Sequence, residues 1–224
     1  MPPLLYLVRH AEAEHNVTHN PNTRDALLTE KGIQQCEKLK KLSESFHHEI
    51  DLVVASPLRR TIQTAVYSFG PVLAKTGLIL LPDAQEVSGM PCNIGLDRKD
   101  LEIEAVTMFK GDEDVLEGAY STTPSAVKAR AVRLRQWLYV RPEKVIVVFT
   151  HGAFLHYLTE DWSGPIYFGK EIGYAVDEED GSSPPRGTGY LNCEVRQFTF
   201  SKESSCDDAH LNATGFKIEG SSIA

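Results

Sequence analysis

A three-layer α/β/α sandwich with a mostly parallel central sheet is the fold class this sequence predicts, and three observations predict it. Short runs at 4–8, 51–55, 78–81 and 144–149 are apolar almost throughout, as strands covered on both faces are. Between them lie longer stretches whose apolar residues recur at helical spacing, and strands alternating with helices imply a parallel sheet with helices on both sides. A chain of 224 residues with 42% hydrophobic content can bury a full core in one such domain.

In chain order, residues 4–8 are the first strand, followed by a polar loop of His, Asn, Thr and Pro to Ala26. Thr29 is an N-cap, and the helix it opens runs through Leu42 with Ile33, Cys36, Leu39 and Leu42 on one side. Residues 51–55 are the second strand. Ser56 then caps a helix that Pro57 starts at its favoured first position, with Ile62, Val66 and Phe69 as its apolar face. Residues 78–81 are the third strand. The stretch 88–124 is rich in Gly, Pro and acids, with a short helix near 98–109. It is too long for a plain connection and reads as an insertion that covers a site within one domain spanning 1–224. Thr123 and Pro124 open the next helix, with Val127, Ala131, Leu134 and Leu138 on its apolar face and Lys128, Arg130, Arg133 and Arg135 on its polar one. Residues 144–149 are the fourth strand and Gly152 begins another helix. A polar loop covers 177–189, and 190–200 pairs with 215–219 as an edge hairpin.

The formal net charge of −8 opposes nucleic-acid binding, which runs on positive charge. No apolar run is long enough to cross a bilayer, and the N-terminus lacks the pattern of a secretory signal, so a cytoplasmic protein is expected. Cys36, Cys92, Cys193 and Cys206 contain no CxxC pair, which favours reduced thiols. The oligomeric state is open.

The chemistry gathers where strands end. The first strand runs into Arg9-His10, the fourth into Thr150-His151-Gly152, the second into Ser56-Pro57-Leu58-Arg59-Arg60, and Glu86 follows the third. In open α/β sheets ligands bind beyond the carboxyl ends of strands, so one crevice can hold all of these residues. Arginine forks match phosphate oxygens, and a neutral imidazole can attack phosphorus and carry the phosphoryl group. Arg9 and Arg60 beside His10 oppose a second positive charge and keep its lone pair available. A poor leaving group needs a proton, and Glu86 is the candidate acid.

These residues resemble the histidine phosphatase superfamily, in its phosphoglycerate mutase-like branch. The likeness runs through Leu7-Val8-Arg9-His10-Ala11-Glu12 with Asn16 in place, Leu28-Thr29-Glu30-Lys31-Gly32, Ser56-Pro57-Leu58-Arg59-Arg60-Thr61-Ile62-Gln63-Thr64-Ala65 and Thr150-His151-Gly152. Pro91-Cys92-Asn93 and Thr188-Gly189-Tyr190-Leu191-Asn192-Cys193-Glu194 also look like a small fungal subgroup. The resemblance implies His10 as nucleophile and Glu86 as proton donor. It puts Arg9, Arg60 and His151 around the phosphate and Asn16 on a phosphate oxygen, with no metal and no cofactor. It implies a phosphatase for a phosphorylated small molecule. Ala11 stands where the family usually has glycine, and Ala13 where a hydroxyl is common.

Two other chemistries compete. Phosphoglycerate mutases, which this chain resembles at His10, carry a longer motif with arginine and tyrosine after the acidic residue, whereas here the stretch is the uncharged Val87-Ser88-Gly89-Met90, so hydrolysis is favoured. Cys92-Asn93-Ile94-Gly95-Leu96-Asp97-Arg98 fits the C-x-x-G-x-x-R loop of cysteine-dependent phosphatases, but no strand feeds Cys92. A phosphate-binding module without catalysis is the third possibility. His15 and His19 lie in a segment that reads as loop, His47 and His48 at a solvated helix end, and His156 in packing. Arg59 reads as a surface residue, and Trp137 and Trp162 as core.

Overall fold

The computed structural model describes residues 1–18, 20–96, 120–162 and 189–221. One six-stranded sheet holds β1 (Leu4–Arg9), β2 (Leu52–Ala55), β3 (Ile79–Leu80), β4 (Val145–Thr150), β5 (Val195–Phe200) and β6 (Leu211–Ile218). Their order across the sheet is β3-β2-β4-β1-β5-β6. The pairs β3–β2, β2–β4 and β4–β1 are parallel, while β5 joins β1, and β6 joins β5, antiparallel. Side chains alternate across the pleat and so build two cores. Tyr6 and Val8 face Cys36, Leu39, Ile62 and Phe69 of the helices α2 (Glu30–Ser43) and α3 (Arg59–Thr76). Leu5 and Leu7 face Leu134, Leu138, Phe154 and Leu158 of α4 (Pro124–Tyr139) and α5 (Gly152–Thr159). These are the three layers predicted.

Local signals read correctly where the chain alone decides. The side chain of Thr29 accepts from the N–H of Gly32, and that of Thr123 accepts from the N–H of Ala126, with Pro124 in the first turn. Gly32 has a second reason: a Cβ there would lie 2.1 Å from the carbonyl oxygen of Glu12, so only glycine lets α2 approach the loop after β1 so closely.

Several expectations are corrected. Residues 14–18 are not loop: they form the short helix α1 (Glu14–Thr18), whose Glu14 exchanges backbone and side-chain hydrogen bonds with Leu27. Leu42 is 50% exposed, because each step of three residues falls about 60° short of a helical turn, and Leu42 has drifted about half a turn from Ile33. Leu58, not Ser56, is the N-cap of α3, since the Ser56 hydroxyl is engaged with His151. Pro71 sits inside α3, and the backbone leaves helical geometry at Phe69, two residues earlier. Arg130 and Arg135 are buried rather than solvated. Arg130 donates to the carbonyl of Gln85, and Arg135 donates to the carbonyls of Ala209, Tyr157 and Leu158. Arg59 donates to the carbonyl of buried Asp25 and is part of the packing. Of the terminal hairpin, only β6 is an edge, because β5 pairs with β1 as well. His47 is half-buried, bonded to Ser43, and its ring lies tilted against Phe69. The helix expected near 98–109, most of the insertion at 88–124, His19 and most of 177–189 lie outside the described residues.

Among the described residues, no helix is long and apolar enough to cross a membrane. All four cysteines are free thiols, three of them buried.

Candidate active site

The register of two neighbouring strands assembles the centre of the site. β1 and β4 run parallel side by side with Arg9 opposite Thr150, so His10 and His151 leave adjacent strands at the same level. Strand spacing of about 4.8 Å sets their separation, and the two imidazole centroids are 5.3 Å apart. The N–H of His10 also donates to the carbonyl of Thr150 at 3.0 Å, locking the strand ends together.

The two rings hold their protons on different nitrogens. Nδ1 of His10 lies 2.6 Å from the carbonyl oxygen of Ala11. A carbonyl can only accept, so Nδ1 carries the proton and the lone pair sits on Nε2. Nδ1 of His151 faces the Arg60 guanidinium at 3.1 Å, which can only donate. Its proton is therefore on Nε2, which donates to the Ser56 hydroxyl at 2.8 Å. Both rings are buried. Burial pushes the pKa of each well below the ordinary histidine value, and Arg60 pushes it further. Arg9 adds to this at His10, and His10 itself adds to it at His151. Both imidazoles are neutral near pH 7.

Backbone contacts hold the loop after β1. The N–H of Ala11 donates to the Thr64 hydroxyl at 3.0 Å, and the Asn192 amide donates to the carbonyl of His10 at 2.9 Å. Ala11 and Ala13 are fully buried, so the two departures from the family pattern are filled with packing. Arg9 donates to the carbonyl of Tyr190. Its guanidinium lies against the start of α5, where a Cβ on Gly152 would sit 3.3 Å from its Nε.

Arg60, in the first turn of α3, is fully buried. Besides meeting His151, it donates to the carbonyl of Cys92 at 2.7 Å and to Oδ1 of Asn93 at 2.8 Å. Asn93 in turn donates to the Ser88 hydroxyl at 2.7 Å. Burial lowers the Arg60 pKa, and the charge of Glu86 nearby opposes that shift. Glu86 is half-buried, and its Oε1 accepts the N–H groups of Val87 and Phe154, both at 3.0 Å. Arg130 donates to the carbonyls of Gln85 and Glu86, and so fixes the backbone that carries this carboxyl group. Asn16 accepts from the N–H of Ala13 at 3.0 Å and donates to Nε2 of His15 at 3.1 Å.

His10, His151, Arg9 and Arg60 thus lie together at the carboxyl ends of the strands, with Glu86 near Arg60. Sequence reasoning missed Asn93, Arg130, Asn192 and His15. Pro91-Cys92-Asn93 is visible as a motif, but only folding shows that Asn93 serves Arg60. His15, read as an idle loop residue, lies 5.9 Å from the His10 ring. The cysteine-phosphatase pattern finds no support. Cys92 lies in a single 3-10 turn, and burial pushes its thiol up, away from the thiolate that such chemistry needs. Asp97 and Arg98 of that pattern lie outside the described residues.

Comparisons with known proteins identify the family and the fold. The family profile for the histidine phosphatase superfamily (branch 1) matches residues 5–169. Phosphoglycerate mutase-like protein 1 of Arabidopsis thaliana is 32% identical over 193 residues, covering 67% of this chain and 68% of that one. A probable phosphatase of Schizosaccharomyces pombe is 28% identical over 163 residues, covering 66% and 74%. Among solved structures, a phosphoserine phosphatase mutant from Entamoeba histolytica, in complex with phosphoserine, matches with a TM-score of 0.54. It is 18% identical and 96% of each chain is covered, a likeness of fold alone.

Proposed function

This chain belongs to branch 1 of the histidine phosphatase superfamily, and on that premise we propose that it is a metal-independent phosphatase acting on a phosphomonoester of a small molecule. One observation carries the reading: the lone pair of a neutral His10 is left on Nε2, in a pocket shared with Arg9, Arg60 and His151.

The Nε2 lone pair attacks phosphorus in line, forming an N–P bond as the ester P–O bond breaks. Arg9 and Arg60 face the non-bridging oxygens, and His151 donates from the nitrogen that Ser56 now holds. Oε1 of Glu86 is already an acceptor for two N–H groups, so the proton given to the leaving oxygen sits on Oε2. Water then attacks the phosphohistidine while the Glu86 carboxylate takes its proton. The N–P bond breaks, orthophosphate leaves, and both residues return to their starting states. Asn16 orients the loop after β1 and has one further N–H to offer a phosphate oxygen.

Hydrolysis is favoured over mutase chemistry by the stretch after Glu86. Val87 and Ser88 are buried, Ser88 is turned to Asn93, and residues 87–90 bring no cation to a second phosphate. The Entamoeba histolytica protein binds phosphoserine, a small phosphomonoester of the class proposed. The choice among such substrates is assigned to residues 88–124 and 160–190, most of which lie outside the described residues.

A phosphate-release screen across metabolite phosphomonoesters tests this, with His10→Ala as control. Turnover of at least one ester, lost in His10→Ala, is the expected result. Near-normal turnover in His10→Ala, or isomerisation of a phosphoglycerate without phosphate release, overturns it.

A further inference from the structure

Among the described residues, His15 is an imidazole beside the His10 ring to which the steps above give no task. Its donor state can be worked out from its neighbours. The Asn16 amide oxygen accepts from the N–H of Ala13, which settles which end of that amide is NH₂. The NH₂ end therefore donates to Nε2 of His15 at 3.1 Å, so Nε2 holds a lone pair and Nδ1 carries the proton. That Nδ1–H is buried and has no hydrogen-bond partner among the described residues. A buried donor left unmet costs free energy, and a ligand or water that accepts from it recovers that cost.

Its position says which ligand. The ring lies 5.9 Å from that of His10, the residue proposed to attack phosphorus. Burial, then Arg60, then Arg9 push its pKa down to about 2, so the fields of both arginines reach it. It is therefore a neutral donor near pH 7, and it does not compete with His10 for a proton.

We propose that His15 is a substrate-binding residue that donates its Nδ1–H to a non-bridging phosphoryl oxygen, with Asn16 fixing the tautomer. This rests on the reading of the pocket as a phosphoryl site. The short helix α1 then has a function: it lifts one more donor to the phosphate without adding charge to a pocket already holding two guanidinium groups.

The test compares His15→Phe, which keeps an aromatic ring but loses both the Nδ1 donor and the Nε2 acceptor, with His15→Asn, which also lacks Nε2 but whose amide nitrogen reaches the place of Nδ1. Orthophosphate affinity is measured by calorimetry, alongside kcat and KM on the best ester of the screen and the thermal midpoint. In His15→Phe, orthophosphate affinity and kcat/KM fall about ten- to hundredfold, as loss of one hydrogen bond to a charged group does, and His15→Asn recovers most of both. Both variants lose the hydrogen bond from Asn16 to Nε2, so the thermal midpoint falls alike in the two, and the difference in affinity between them reads the Nδ1 donor alone; an affinity equally low in both overturns the inference. Equal orthophosphate affinity in wild type and His15→Phe, including no binding by either, overturns the inference, as does a lowered midpoint with unchanged affinity. A wild-type chain that binds orthophosphate but hydrolyses no ester overturns the phosphatase reading alone, and the affinity comparison still decides the role of His15.

Discussion

The ends of β1 and β4 look alike in sequence and differ in what they can do. Each is an apolar run that stops at a histidine, each histidine is buried, and the two rings are near neighbours. Yet His10 spends one nitrogen on its own loop and leaves the other open, whereas His151 has both nitrogens engaged, one by Arg60 and one by Ser56. The difference arises from partners, not from the rings. A carbonyl one residue away turns His10 into a base with its lone pair outward. An arginine and a serine from the segment after β2 turn His151 into a fixed neutral donor. An imidazole with a free lone pair can attack; one held at both nitrogens can only orient and stabilise.

That contrast can be broken or sharpened. The largest effect is expected from exchanging the two roles. His10→Gln forms no acid-labile phosphoenzyme on mixing with substrate, whereas His151→Gln still forms it, more slowly; rapid-quench labelling reads both. A labelled His10→Gln would make the two rings interchangeable and sink the distinction. Arg60→Ala comes next, with a loss of about 10²–10³ in kcat, since one preorganised donor to the phosphoryl group is removed and Nδ1 of His151 is left without its partner. Steady-state rates, with the fold checked by circular dichroism, measure it.

A smaller effect concerns stability. Buried His10, His151 and His156 and half-buried His15 all have folded-state pKa values below the ordinary one, His156 at about 4. Above the unfolded value of about 6.5 these rings are neutral in both states and contribute no pH dependence. As pH falls below it, the unfolded chain takes up protons that the folded chain excludes, and stability drops until the folded pKa is reached. Each ring adds up to about 1.4 kcal/mol per pH unit to that slope. Urea unfolding between pH 7 and pH 5 reports it, and His10→Gln loses one ring's share. An unchanged slope would show that His10 protonates readily in the folded state. The smallest effect is expected from Ser56→Ala, which frees Nε2 of His151 and lowers kcat about fivefold. A drop as large as that of Arg60→Ala would place Ser56 among the groups that touch substrate.

Much of the frame was legible without coordinates. Thr29 and Thr123 as caps, the apolar face of α4, and the parallel strands depend on residues within a few positions of one another. The errors have one character. Arg130 and Arg135 look like a solvated stripe because of their charge, although helical spacing puts Arg130 three residues from Val127 and four from Leu134, on the same side of α4. The carbonyls that bury them come from Gln85, Tyr157, Leu158 and Ala209, far away in the chain. Ser56 looks like a cap until His151 claims its hydroxyl. His15 looks idle in a polar stretch because nothing local says that α1 folds back beside His10.

By itself, then, the amino-acid order determined the layers, the strands and the identity of the groups placed at their carboxyl ends, since periodicity, capping and strand composition act over short distances. Only the tertiary structure decided where each imidazole keeps its proton, which arginine meets which ring, and which donor is left unmet. Those are set by hydrogen-bond partners and by burial, both supplied by segments tens of residues away. A proton's place on a ring worth little in water becomes a chemical role once water is excluded.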